Sequence, residues 1–225
     1  MNLLHTARHI CVSGKSGMGK TSYACRYING SSHDRVAIFD HQGEFASRLG
    51  LSREQVATDY DQFFTALETY RVVAFDFTKH YGGQMEAAFE EFCEQCFSLA
   101  RRALEPAGLE LLCVCDELQR FCTPTNCPPA FKNNVEVGRR YNLDTLSMSQ
   151  RPNAITAAIR EQFTELVLFR LQDENSLKFA AGIGVDVERV KNLPPHEFLF
   201  IQTVRGDERP GKIKFPDTVP LPPAV

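Results

Sequence analysis

Short apolar runs alternate along the chain with longer stretches in which apolar positions recur every three or four residues. The short runs "HICVSG" (9–14), "RVAIFD" (35–40), "VVAFDF" (72–77), "LELLCVCDE" (109–117), "LDTLSMSQ" (143–150), "ELVLFR" (165–170) and "EFLFIQTV" (197–204) predict strands. Between them the spacing predicts a helix from Lys20 to about Tyr27 and another over 84–104, where Phe89, Phe92, Cys93, Cys96, Phe97 and Ala100 form one stripe. Further helices are expected over "FKNNVEVGRRYN", ending near Asn142, over "NAITAAIREQ" (153–162), and near 173–181 and 186–192. The 109–117 run is continuously apolar, as a strand covered on both faces must be. Strands alternating with helices predict an α/β domain whose central sheet is mostly parallel, with helices on both faces. The proline-rich end "FPDTVPLPPAV" reads as an extended tail, dividing the chain into a domain over 1–209 and a tail over 210–225.

Composition changes this picture little. The 225 residues suit one domain, and 43 % apolar with 24 % charged residues is ordinary for a soluble protein. Trp is absent, so the 17 Phe supply the aromatic bulk of the core. The net charge of −3 is far from that of a monomer that coats DNA. Contact with nucleic acid would require a local basic patch, or several subunits pooling one. No run approaches the ~18 apolar residues of a membrane span. The first residues, "MNLLHTARHICVSG", lack the layout of a signal peptide, so a cytosolic protein with eight reduced thiols is expected. Cys93 and Cys96 have CxxC spacing but no second pair at zinc-ligand spacing, and Cys113 and Cys115 share one face of a strand.

Candidate chemistry centres on "VSGKSGMGKTS" (12–22). Residues Gly14, Lys15, Ser16, Gly17, Met18, Gly19, Lys20 and Thr21 fit G-x-x-x-x-G-K-[ST] in full, with Ser22 following. Glycines let backbone N–H groups turn inward around a phosphate, and the helix that follows points its positive end at the same place. Lys20 can reach the β- and γ-phosphates, and the Thr21 hydroxyl can ligate Mg²⁺. At the end of the strand over 109–117, Asp116 would complete the Mg²⁺ shell and Glu117 would polarise the attacking water. Gln150 ends another strand, where an amide can sense the γ-phosphate. Asp40 and Glu44 follow the second strand and could join the metal or water network; Asp76 is a lesser candidate, more in keeping with a structural role. Arg139 and Arg140 close a predicted helix, a position that favours cations in any case.

Two resemblances follow from these motifs. "KSGMGKT", with its early Lys15, resembles the deviant loop of ParA/MinD-type ATPases, although the downstream motifs do not follow that family. "GKSGMGKT", "FDHQGEF", "CVCDE", "GRRYNLDTLSMSQRP" and "ELVLFRLQDENSLKF" occur in the order seen in the HerA/FtsK superfamily of DNA-pumping ATPases, over roughly residues 9 to 204. Its compact size is similar to the genome-packaging ATPases of PRD1-like tailless icosahedral viruses with an internal membrane. The resemblance implies a RecA/FtsK-like motor core using ATP and Mg²⁺ to drive double-stranded DNA. It also implies a ring, expected to be a hexamer, with the nucleotide between subunits. Arg139 or Arg140, with Arg139 the first choice, would complete the neighbour's site, Gln150 would be the sensor, and Asp40 would match the acid after the second strand. Portal or capsid-vertex proteins would be partners, in the host-cell cytoplasm or at the packaging vertex of the virion. Lys15 departs from the group, which usually has a neutral residue there. Lys79, His80, Lys132 and Arg151 are candidate DNA contacts. A cellular HerA-like or conjugative motor and a ParA/MinD-like switch remain alternatives.

Overall fold

A computed structural model describes residues 7–40, 42–81, 84–102, 108–203 and 207–212. The chain runs β1 (His9–Ser13), α1 (Lys20–Gly30), β2 (Arg35–Phe39), α2 (Glu44–Leu49), β3 (Val56–Ala57), α3 (Tyr60–Thr69), β4 (Val72–Phe75), α4 (Thr78–Tyr81) and α5 (Met85–Arg102). It continues with β5 (Leu111–Cys115), α6 (Pro129–Glu136), β6 (Leu143–Ser149), α7 (Ala157–Arg160), β7 (Glu165–Leu168), α8 (Glu174–Gly182), α9 (Val187–Lys191), β8 (Glu197–Gln202) and β9 (Asp207–Lys212). One nine-stranded sheet has the order β3-β4-β2-β5-β6-β1-β7-β8-β9. Strands β1 to β7 pair in parallel, while β8 and β9 add an antiparallel flank.

The period-2 rule divides the core between the two faces. In β2, Ala37 and Phe39 face one side and Val36 and Ile38 the other; in β5, Cys113 and Cys115 oppose Leu112 and Val114. Helices α3, α5 and α6 cover the first face through Phe63, Phe92 and Phe131. Helices α1 and α2 cover the second through Ala24, Ile28, Phe45 and Leu49. The phenylalanines pack as predicted from their number: Phe39 stacks on Phe77 at 4.6 Å between centroids and meets Phe89 edge-on at 5.2 Å.

Several elements differ from the sequence reading. Asp116 and Glu117 lie just past the end of β5 rather than within it. The single helix expected over 131–142 is α6 followed by a separate 3₁₀ turn, Gly138–Tyr141, because a tight turn at Gly138 brings the chain against the Leu143 side chain, 3.1 Å from where a Cβ would stand. The helix expected over 153–162 is a 3₁₀ turn at Pro152–Ala154 and the one-turn α7. Helices α2 and α3 and strand β9 have no counterpart in that reading, and β9 reaches Lys212. The rest of the proline-rich tail, and the side chains of Lys79 and His80, lie outside the described residues.

Candidate functional site

Strand β1 lies between β6 and β7, and the glycine loop leaves its C-terminal end. The Gly14 amide donates to the Ser149 carbonyl (3.2 Å) and the Lys15 amide to the Arg170 carbonyl (3.0 Å), so strands on both sides fix the start of the loop. A Cβ at Gly14 would stand 2.5 Å from Phe169 Cβ, so close packing dictates that glycine. Gly17 (φ 76°) and Gly19 (φ 108°) are left-handed and turn the loop into the N-terminus of α1. Lys20 is 8 % exposed; its Nζ donates to Gly14 O (2.9 Å) and Lys15 O (3.4 Å). Burial lowers its pKa, and the nearby Glu117, Asp116 and Glu44 oppose that shift.

Ser16, Gly17, Gly19, Lys20, Thr21 and Ser22 line one cavity with Glu44, Asp116, Glu117 and Gln150. The carboxylates crowd there. Burial first, then the charges of Glu117 and Asp40, push Asp116 up to about 7. Glu117 is buried in a left-handed conformation (φ 52°), which a non-glycine residue holds only when its surroundings enforce it. The enforcement is visible: Gln150 Nε2 donates to Glu117 Oε1 (2.7 Å) and Gln119 Nε2 to Oε2 (2.5 Å). Glu44 Oε2 accepts from the Thr21 hydroxyl (3.0 Å), and its Oε1 accepts from Arg48 Nη2 (2.7 Å) and Nε (3.0 Å). Arg48 Nη1 also donates to Ser22 Oγ (3.3 Å), closing a ring of polar contacts at the start of α1.

Arg48 and His196 share the cavity without any sequence motif announcing them, and Gln42 joins it from within "FDHQGEF", a motif that does not single it out. His196 arrives from the loop before β8, left-handed (φ 67°), and its amide donates to the Met18 carbonyl (3.2 Å). Only backbone proximity could have found it, since 176 positions of chain separate it from Lys20.

Other candidates do not line the cavity. Asp40 is buried, and its Oδ2 accepts from the Ala46 amide (3.0 Å), so it holds the start of α2. Burial raises its pKa and the α2 amides oppose this. Asp76 accepts from the Thr78 amide (3.1 Å) and hydroxyl (2.5 Å) at the start of α4. Lys15 extends to Gln172 of its own chain, Nζ to Oε1 2.9 Å. Met18 is half-buried against the α1 face of the core. Arg139 and Arg140 are exposed in the turn before β6 and do not reach the cavity of their own chain.

The donor set fits a magnesium–nucleoside triphosphate. The glycine loop lines the cavity beside a buried ammonium, and Thr21, Asp116 and Glu44 offer only oxygen, the ligand type of Mg²⁺. Among the described residues no three His, Cys, Asp or Glu side chains group into a metal cage.

No protein-family model and no curated protein matches the chain. Solved structures do. The genome packaging NTPase B204 from Sulfolobus turreted icosahedral virus 2, in complex with AMPPCP, is 16 % identical, with 92 % of this chain and 97 % of that one covered and a TM-score of 0.70. The bacterial conjugative coupling protein TrwB is 10 % identical over 92 % of this chain and 84 % of that one, TM-score 0.67. EccC from Thermomonospora curvata is 14 % identical over 95 % of this chain and 38 % of that one, TM-score 0.61. The chain has the α/β P-loop NTPase fold, which it shares with these structures over nearly its whole length.

Proposed function

We propose that this chain is an ATPase whose turnover moves double-stranded DNA, and that its task is to drive a viral genome into a preformed capsid. The observation that carries the reading is the convergence of Lys20, Thr21, Asp116, Glu117 and Gln150 on one cavity. The DNA half draws support from likeness to a genome packaging NTPase over nearly the whole of both chains.

The loop amides and Lys20 would bind the triphosphate, and Thr21, freed from Glu44, and Asp116 would hold Mg²⁺. When bound, Mg²⁺ neutralises phosphate charge. Glu117 takes the proton of the attacking water at a carboxylate oxygen, and Gln150, already bonded to Oε1, relates the state of the phosphates to that base. Arg139, or its neighbour Arg140, is exposed and off its own site, as a residue that completes the next subunit's site in a ring must be. A hexameric ring pools exposed Lys132 and Arg151 from each copy into a basic channel that grips the phosphate backbone, whatever the sequence. Portal or capsid-vertex proteins are its partners in the host cytoplasm. A cellular or conjugative motor would use the same chemistry, and likeness to TrwB favours it as the second reading. The ParA/MinD-like reading loses ground because Lys15 is bonded within its own chain.

The test is ATP hydrolysis by the purified protein with and without long double-stranded DNA, with oligomeric state recorded in the same samples. Rings stimulated by DNA are the expected result. Slow hydrolysis by a nucleotide-dependent dimer that ignores DNA would overturn it.

A further inference from the structure

All eight cysteines are free. Four of them, Cys93 and Cys96 on α5 and Cys113 and Cys115 on β5, are at most 1 % exposed within the core, and the sulfurs of Cys113 and Cys115 stand 3.9 Å apart. They behave as small apolar residues beyond reach of solutes. Cys122 is equally buried, but its pairing with Cys127 is closer, and Cys127 itself reaches the surface. Their Sγ atoms stand 2.7 Å apart, most of the way from non-bonded contact to the ~2.05 Å of a bonded pair. Cys127 is also the one cysteine that is not fully buried, and it lines a surface groove with Asn126, Lys132 and Thr156.

The segment between them is shaped for closure. The Cys122 amide donates to the Leu118 carbonyl (2.9 Å), anchoring one end. Thr123 Oγ1 accepts from the Asn126 amide (3.1 Å) and donates to the Asn126 carbonyl (3.3 Å), folding the chain back so that the sulfurs meet. Exposed Lys132 lines the groove and pairs only loosely with Glu136 (3.8 Å), so its ammonium can also meet a solute carboxylate there. We infer that Cys122 and Cys127 form a dithiol–disulfide exchange site that closes on reaction with a small anionic disulfide of the glutathione class.

The two thiols have distinct tasks. Burial pushes the Cys122 thiol up, so accessible Cys127 reacts first. Cys127 loses its proton to solvent and its thiolate attacks one sulfur of the disulfide; that S–S bond breaks and one glutathione thiolate leaves and is protonated. Cys122 then loses its proton, attacks the Cys127 sulfur of the mixed disulfide and expels the second glutathione as a thiol. The protein dithiol is oxidised by two electrons, and one glutathione disulfide is reduced to two thiols. Closure would fix the link between the turn that carries Glu117 and Gln119 and helix α6, but the chemistry does not depend on any activity of that turn.

The experiment equilibrates the full chain with oxidised or reduced glutathione, quenches with acid, unfolds, alkylates and digests with trypsin. Cleavage after Arg120 and Lys132 yields the peptide 121–132, which carries Cys122 and Cys127 and no other cysteine. From the oxidised sample this peptide should be lighter by two hydrogens and take no alkyl group; from the reduced sample it should take two. Peptides carrying Cys93, Cys96, Cys113 and Cys115 should be fully alkylated in both. Cys122→Ala should trap one glutathione on Cys127. The proposal is overturned if the oxidised wild-type peptide still takes two alkyl groups, if it keeps a glutathione adduct, or if the four core cysteines oxidise alongside it.

Discussion

The two ends of the parallel strands both bury charge, and they do it in opposite ways. At the N-terminal ends every carboxylate has its own partners. Asp144, 1 % exposed, accepts from the Arg8 amide (3.0 Å) and faces His33 Nε2 (3.1 Å). Glu165 takes the fork of the Arg8 guanidinium, 3.0 Å to each oxygen. At the C-terminal ends Asp116, Glu117 and Glu44 gather around Lys20, and Asp116 is pushed up to about 7. A buried carboxylate with its own cation holds a fold together; Asp116, buried among other carboxylates, is in a conflict that only a further positive charge resolves. The contrast separates an end where buried charge is paired from an end where it is crowded.

The strongest way to break this comparison is Lys20→Ala. It should abolish nucleotide binding or cut turnover by at least ~100-fold while leaving the thermal midpoint little changed, as read by hydrolysis and calorimetry. Unchanged hydrolysis would sink the phosphate-loop assignment. Glu117→Gln should bind ATP but lose hydrolysis by about 100-fold or more; normal turnover would make Glu44 the base. At the opposite end, Asp144→Ala should cost on the order of 3 kcal/mol, a drop in midpoint of roughly 6–12 °C, with nucleotide affinity intact. A loss of affinity there would erase the division between the two ends.

Asp116→Asn sharpens it most finely. Folded Asp116 keeps its proton up to about pH 7, whereas an unfolded chain releases it near 4. The folded state therefore binds more protons across that window, and stability falls as pH rises through it. Asn at this position should remove that slope and stabilise the protein at pH 8 by at most roughly 4 kcal/mol, while hydrolysis is lost. Melting curves at pH 5 and pH 8 measure the difference.

How much of this was legible in the sequence depended on distance along the chain. The glycine loop could be read because strand, loop and helix are contiguous, and Asp116 and Glu117 because an apolar strand points straight at them. Asp40 has the same local signature as Asp116. What separates the two is Gly43 (φ 68°), which turns α2 back so that its amides take the Asp40 carboxylate. Arg48 sits on a helix too short for periodicity to announce, and His196 reaches the loop only through a return of the chain from α9. The division of α6 from the turn bearing Arg139 required Leu143, whose packing against Gly138 no periodicity encodes.

The two hydrogen bonds that anchor the glycine loop have a mechanical meaning. Gly14 is stitched to the end of β6 and Lys15 to the segment just beyond β7. The two strands that flank β1 are thus joined at adjacent loop residues, while the His196 amide holds the loop from its other side at Met18. A displacement of either neighbouring strand end relative to β1 is felt at the first two residues of the loop.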